Sequence, residues 1–143
     1  MKLKGRVINS GQVQAEAIVL DVPFSFIGDF DPNTGEITIE GHPLSGKNLA
    51  NKILVCPSGK GGTIAPFIAY QAQQKGASPV GILCRKADPL LCESALAINI
   101  PILDSLDQDP VTSIRTGMSI TINHDTVEIP DAMRYHKNKE STP

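Results

Sequence analysis

The chain has 143 residues, of which 41% are hydrophobic and 4% aromatic, and its net charge is −2. This length and this hydrophobic share predict one folded domain with a substantial core. The few aromatic residues and the lack of a basic cluster argue against a nucleic-acid surface, and no apolar run is long enough to cross a bilayer. The N-terminus lacks the apolar segment of a signal peptide, so a cytoplasmic protein is expected.

Strands and turns are predicted for the first forty residues. Residues 3–9 and 13–20 alternate in hydrophobicity and predict an N-terminal hairpin. The apolar residues 23–27 predict a strand that pairs at an edge. Phe30 lies in a turn-rich loop and is expected to anchor that loop by packing. Residues 36–40 alternate strictly and predict a half-exposed strand.

The centre of the chain alternates short apolar runs with helical patterns. Strands are predicted at residues 53–56, 79–84 and 100–103, and helices at residues 63–75 and 89–98. This βαβαβ pattern predicts parallel strands joined by right-handed crossovers. The residues expected to be buried are Ile53, Val55, Ile68, Ile82 and Leu96.

The C-terminal part predicts a short helical turn after Asp109 and a final hairpin from residues 118–123 and 126–129. Residues 131–143 are polar and charged without periodicity, which predicts a disordered tail. The fold class expected is therefore a mixed α/β domain over residues 1–130, with a βαβαβ centre between flanking β-hairpins.

The three cysteines do not indicate a disulfide framework or a zinc ribbon. Their number is odd, and no two have CxxC spacing. Cys56 and Cys84 lie in apolar runs and are predicted to be small buried core residues. No metal site is predicted on this chain.

The turn between the strand at 53–56 and the following helix is rich in glycine and includes Lys60. Thr63 is predicted to cap the helix. A strand, a glycine loop and a helix start place backbone N–H groups, a helix dipole and the lysine together, which favours a phosphate or carboxylate. Lys60, Gly61 and Gly62 are the predicted substrate-binding residues. Alternatively, the glycines only allow a tight connection.

No complete catalytic motif accompanies this loop, which suggests a partial site completed by a partner. The loop PSGKGGT, the upstream segment FSFIGDFDPNTG and the segment GHPLSGKNLANKILV together resemble the small subunit of aconitase X proteins. The resemblance covers about residues 5–129. It implies a swivelling β/β/α domain, like the mobile last domain of aconitase.

The resemblance also implies a dehydratase (a hydro-lyase) acting on a small hydroxy acid. The partner it implies is an aconitase X-type large subunit that carries an iron–sulfur cluster, so this chain binds no cofactor itself and is inactive when isolated. Two other classes stay open: a non-catalytic anion-binding or regulatory partner that has lost its base, and a free-standing anion-binding module.

In the family that this chain resembles, a serine that follows the Gly-Lys-Gly triplet acts as the base. Here Gly62 occupies that position. Thr63, one position later, and Ser58, before the triplet, are the two candidate catalytic hydroxyls. The alternative role of Thr63 is the helix cap, and that of Ser58 is a turn residue.

Overall fold

The computed structural model describes residues 1–130, which form eight strands and three helices. The strands are β1 (Lys2–Lys4), β2 (Arg6–Asn9), β3 (Gln12–Val19), β4 (Ile53–Cys56), β5 (Gly81–Cys84), β6 (Ile102–Asp104), β7 (Ser119–Asn123) and β8 (Thr126–Glu128). The helices are α1 (Ala65–Gln74), α2 (Pro89–Ala97) and α3 (Pro110–Ser113). The mixed α/β fold is thus confirmed. The predicted disordered tail lies outside the described residues.

The sheet is mixed, in the order β1-β8-β7-β3-β4-β5-β6-β2. Its four middle strands, β3 to β6, run parallel, with α1 connecting β4 to β5 and α2 connecting β5 to β6. This is the predicted βαβαβ centre. Because the carboxyl ends of parallel strands lie at the same edge of a sheet, the loops that follow β3, β4, β5 and β6 lie together at this carboxyl edge.

The predicted N-terminal hairpin is wrong. β1 pairs with β8 at one end of the strand order, whereas β2 pairs with β6 at the other end. β3 pairs with β7 and β4 rather than with β2. Only Gly5 separates β1 from β2, so the sheet must curl until its two edges meet.

Hydrophobic side chains form two clusters, one on each face of the sheet. Leu54 and Cys56 face the cluster under α1 and α2, and Ile53 and Val55 face the cluster on the opposite side. β4 is therefore buried on both faces, which explains its unbroken apolar sequence.

The predicted core is partly confirmed. Ile53, Val55 and Ile82 are fully buried, but Ile68 is only half-buried and Leu96 is 52% exposed. Leu96 is exposed because α2 turns Leu91, Ser94 and Ala95 toward the sheet.

The long connection after β3 is more irregular than predicted. Instead of a strand at residues 36–40, Glu36 and Ile37 form two isolated bridges, although Ile37 is buried as its alternation predicts. Phe30 is buried and packs at 5.4–6.0 Å between ring centroids against Phe24 and Phe26, so its predicted role as an anchor is confirmed. The C-terminal hairpin and the short helix α3 are also confirmed. Within residues 1–130, no helix is both long and apolar enough to cross a membrane.

Candidate functional site

The glycine loop, residues 58–62, lies at the carboxyl edge of the parallel strands. It leaves β4 and leads into α1. Residues 24–30, which we call the phenylalanine segment, lie against it, and Phe24 forms a parallel bridge with Gly59. The first turn of α2 closes the other side, because Asp88 contacts Gly59. Beyond the carboxyl ends of parallel strands is where ligands commonly bind in α/β proteins.

Three polar contacts attach the glycine loop to the phenylalanine segment. The Phe24 N–H donates to the Ser58 carbonyl at 3.0 Å. The Ser25 hydroxyl donates to the Gly61 carbonyl at 3.1 Å and accepts from the Ile27 N–H at the same distance. An ion pair between Lys60 and Asp29 completes the attachment. The loop is therefore held by backbone and side-chain groups together.

Gly59 is required by close packing. A Cβ atom at this position would lie 1.9 Å from Oδ1 of Asp88. The same carboxylate accepts a hydrogen bond from the Leu91 N–H at 3.1 Å and so caps α2, with Pro89 next in the chain. The predicted helix start at Asp88 and Pro89 is confirmed.

Gly61 and Gly62 have φ angles of +84° and +99°, which side-chain-bearing residues rarely adopt. Among the described residues, no hydrogen bond is donated by the backbone N–H groups of Gly61, Gly62 or Thr63. Three consecutive N–H groups are thus available at the start of α1. Such groups bind anions in loops that precede a helix.

The prediction that Thr63 caps α1 is wrong. The N-cap position is Ile64, and no side chain accepts a hydrogen bond there. A cap at Thr63 would need the N–H of Ala65 or Pro66. Ala65 donates its N–H to the Gly62 carbonyl at 3.0 Å, and proline has none. The Thr63 side chain is exposed, and its hydroxyl makes no hydrogen bond to another described residue.

Unlike the Thr63 hydroxyl, the Ser58 hydroxyl makes a hydrogen bond within the chain. It donates to the Gly59 carbonyl at 3.0 Å, within the loop itself, and the residue is half-buried. This geometry is that of a turn residue, one of the two readings of the sequence.

Lys60 is not an isolated cation. Its Nζ lies 3.0 Å from one carboxylate oxygen of Asp29 and 3.2 Å from the other. Asp29 is buried and also accepts the Ser25 N–H at 2.8 Å, whereas the Lys60 side chain is half exposed. An anion at the loop would therefore meet a lysine whose charge is already partly balanced.

Sequence reasoning missed Ser25 and Asp29. Ser25 looked like part of an apolar strand and Asp29 like a turn residue. The available signal was the polar Ser25 between two phenylalanines, because a buried hydroxyl must find hydrogen-bond partners. Their partners lie more than thirty residues away in the loop, at Gly61 and Lys60.

The groove between the phenylalanine segment, the glycine loop and α2 is tightly packed. Its walls include Ser25, Gly61, Asp88 and Leu90, and it has no space for a water-sized molecule. A ligand of the glycine loop would therefore bind on its open outer side.

A second buried carboxylate lies at the same edge of the sheet. Asp104, at the end of β6, accepts two hydrogen bonds from the Arg6 guanidinium, at 2.8 and 2.7 Å, and one from the Ala87 N–H at 2.9 Å. Burial opposes ionisation of this carboxyl, but the hydrogen bonds from Arg6 and Ala87 outweigh it and hold its pKa below the ordinary value. These bonds join β2, β6 and the loop before α2.

Metal ligation is not favoured among the described residues. No group of three or more His, Cys, Asp or Glu side chains is placed to hold a metal ion in residues 1–130. Burial raises the pKa of the Cys56 thiol to about 12, and burial also raises the pKa of Cys84. Both side chains are fully buried in the core, packed among apolar residues.

Comparisons with known proteins converge on one family. The sequence pattern of the family described as "Aconitase X swivel domain" matches residues 2–129. The phosphomevalonate dehydratase small subunit of Methanosarcina acetivorans is 37% identical over 86% of this chain and 85% of its own length. The protein of the same name from Thermococcus sibiricus is 38% identical over 90% and 97%. The crystal structure of Thermococcus kodakaraensis aconitase X in its holo-form superposes with a TM-score of 0.84 at 34% identity, over 92% of this chain and 99% of that chain.

Proposed function

Because the chain belongs to the aconitase X swivel domain family, as its motifs predicted, we propose that it is the small subunit of a two-chain dehydratase. The relatives named above are dehydratase small subunits, so they work beside a larger chain. By analogy, the substrate is a phosphorylated hydroxy acid of the phosphomevalonate type. The reaction removes water from that substrate.

The observation that carries this proposal is the open glycine loop at the carboxyl edge of the sheet. In this proposal, the N–H groups of Gly61, Gly62 and Thr63, which make no hydrogen bond within the described residues, and Lys60, whose charge Asp29 partly balances, form a positively polarised surface. A substrate with a phosphate and a carboxylate offers two anions for it. We assign the binding of one of these anions to the loop.

The remaining parts of the site belong, in this proposal, to the large subunit. The iron–sulfur cluster is placed there, because Cys56 and Cys84 of this chain are buried in the core and residues 1–130 contain no group of three or more His, Cys, Asp or Glu side chains arranged for a metal ion. The loop is open on its outer side, as expected of half a site that a second chain covers. The isolated small subunit is therefore expected to be inactive.

Of the two candidate hydroxyls, Ser58 in the loop and Thr63 directly after it, Thr63 is the better placed to act on substrate. Its hydroxyl is exposed and free, whereas that of Ser58 is engaged with the Gly59 carbonyl. Since Thr63 does not cap α1, its hydroxyl can be removed without loss of a helix cap. We therefore assign the catalytic hydroxyl to Thr63.

The test is turnover of phosphomevalonate by the co-expressed large and small subunits. Thr63→Val should lower kcat by at least about 100-fold, the scale of a lost acid–base group, with an unchanged urea midpoint. Thr63→Ser keeps the hydroxyl and is the matched control. Ser58→Ala should retain activity.

Three results would change the proposal. Full activity of Thr63→Val would show that the hydroxyl comes from elsewhere. Turnover by the small subunit alone would exclude a shared site. A wild-type pair that binds phosphomevalonate without dehydrating it would favour the alternative function, an anion-binding partner that has lost its base. That alternative is based on Gly62, which occupies the position of the family's serine.

A further inference from the structure

Helix α1 turns its smallest side chains toward the core and its largest toward solvent. The buried residues are Ala65, Ala69 and Ala72. Phe67 is 63% exposed, and Tyr70 is 50% exposed. This is the reverse of a normal surface helix, whose apolar stripe faces the core.

The exposed apolar residues lie together on the side of α1 opposite the sheet. At 100° per residue, Phe67 lies about 200° around the helix axis from Ala65, with Ile64 and Tyr70 about 60° to either side of it. Ile64, just before the helix, is 56% exposed. No charged residue occurs in α1. We call Ile64, Phe67 and Tyr70 the outer face of α1.

This outer face is continuous with the glycine loop. Ile64 is two residues after Gly62 in the chain. Ile27, 38% exposed, extends over Gly62, since its Cδ1 lies 2.4 Å from where a Cβ of Gly62 would be. A protein that covers the open side of the glycine loop therefore meets this apolar surface directly.

We propose that the outer face of α1 is the docking surface for the large subunit of the dehydratase. The proposal rests on the proposed function, because that function supplies the partner. Exposed apolar and aromatic side chains without charges are typical of the centre of a stable interface. The outer face of α1 lies beside the glycine loop, and the large subunit is therefore the expected occupant, since that subunit must complete the site.

Two occupants other than the large subunit are less suitable. Residues 131–143 of this chain include five charged residues among thirteen, so they offer little apolar surface. A second copy of the small subunit on this face would occupy the surface beside the glycine loop, which the chain that completes the site has to reach.

The experiment compares binding of small-subunit variants to the large subunit by titration calorimetry. Phe67→Glu should weaken binding at least 30-fold, the effect of losing a central aromatic contact and burying a charge. Phe67→Ala should weaken it in the same direction, without a new charge. Both variants should unfold at the wild-type urea concentration, because Phe67 is exposed in the free chain.

The matched control is Val7→Glu. Val7 is also exposed, but it pairs with Leu103, whose side chain packs on the face of the sheet opposite α1 and α2, so Val7 lies on that opposite face. Val7→Glu should bind the large subunit with wild-type affinity.

The outcomes separate this inference from the proposed function. If wild type fails to bind the large subunit, the proposed function fails and the inference with it. If wild type binds and both Phe67 variants bind equally well, only the inference is overturned. If wild type alone sediments as a dimer that Phe67→Glu dissociates, the occupant is a second copy, which also overturns it.

Discussion

Replacing Gly59 with alanine tests how tightly the glycine loop is packed against α2. The new Cβ would lie 1.9 Å from Oδ1 and 2.9 Å from Cγ of Asp88, and 3.0 Å from Cβ of Leu91. The carboxylate must move away and release the Leu91 N–H that it caps. Loss of the cap costs about 1 kcal/mol, and overpacking about 1–3 kcal/mol. Gly59→Ala should therefore lower the free energy of unfolding by roughly 2–4 kcal/mol.

The assay is urea unfolding followed by circular dichroism for wild type, Gly59→Ala, Asp88→Ala and the double variant. Asp88→Ala alone should lose only the cap, about 1 kcal/mol. The double variant should be more stable than the sum of the single effects predicts, because the carboxylate that collides with the new methyl group is gone. A wild-type urea midpoint for Gly59→Ala, or strictly additive effects, would refute this account of the loop.

Further predictions concern a buried carboxylate, the thiols and the helix α1. Arg6→Gln should lower the free energy of unfolding at pH 7, and the difference from wild type should shrink below about pH 4. The reason is that the depressed pKa of Asp104 adds stability only while this carboxyl is ionised. A difference in urea midpoint that does not change with pH would contradict this. Of the three cysteines, only Cys92 should react with a thiol reagent at pH 8 in the native chain, and labelling of Cys56 or Cys84 before unfolding would contradict the burial of these two side chains. Ile68→Ala should cost about 1–2 kcal/mol, less than a full core truncation, because Ile68 is half-buried; a larger loss of stability would mean that Ile68 is essential to the core.

The parts of the fold that were predictable depend on local patterns. Strand β4, helix α2 with its Asp88 cap, and the C-terminal hairpin each follow from a few neighbouring residues. The N-terminal pairing was not predictable from local patterns, because the partner strands of β1 and β2 are β8 and β6, which are far away in the sequence.

Helix α1 shows why periodicity alone misled. The apolar spacing predicted that Ile68 is buried, but Ile68 is only half-buried, and Ala65, Ala69 and Ala72 form the buried side. Periodicity detects an apolar stripe and not what covers it. When a partner docks on the outer face, both sides of α1 are covered: the sheet of this chain covers the alanines, and the partner covers Phe67 and Tyr70.

The candidate site was predictable as a location but not as a network. The glycine loop and Lys60 stand out as a motif, whereas Asp29 and Ser25 become part of the site only through folding. The predicted cap at Thr63 was wrong for a reason that is only partly visible in the sequence: Pro66 has no N–H to donate, but the N–H of Ala65 is taken by the Gly62 carbonyl only in the fold.

The placement of β1 and β2 at the two ends of the strand order has a consequence for biosynthesis. Residues around Lys2 and Arg6 pair with Glu128 and Asp104. The ribosome makes these partners much later than β1 and β2, so both strands stay unpaired until β6 and β8 have been made. Contacts of such long sequence separation slow folding. The ring of strands can therefore close only after β8 has left the ribosome, and the nascent chain exposes a strand edge until then.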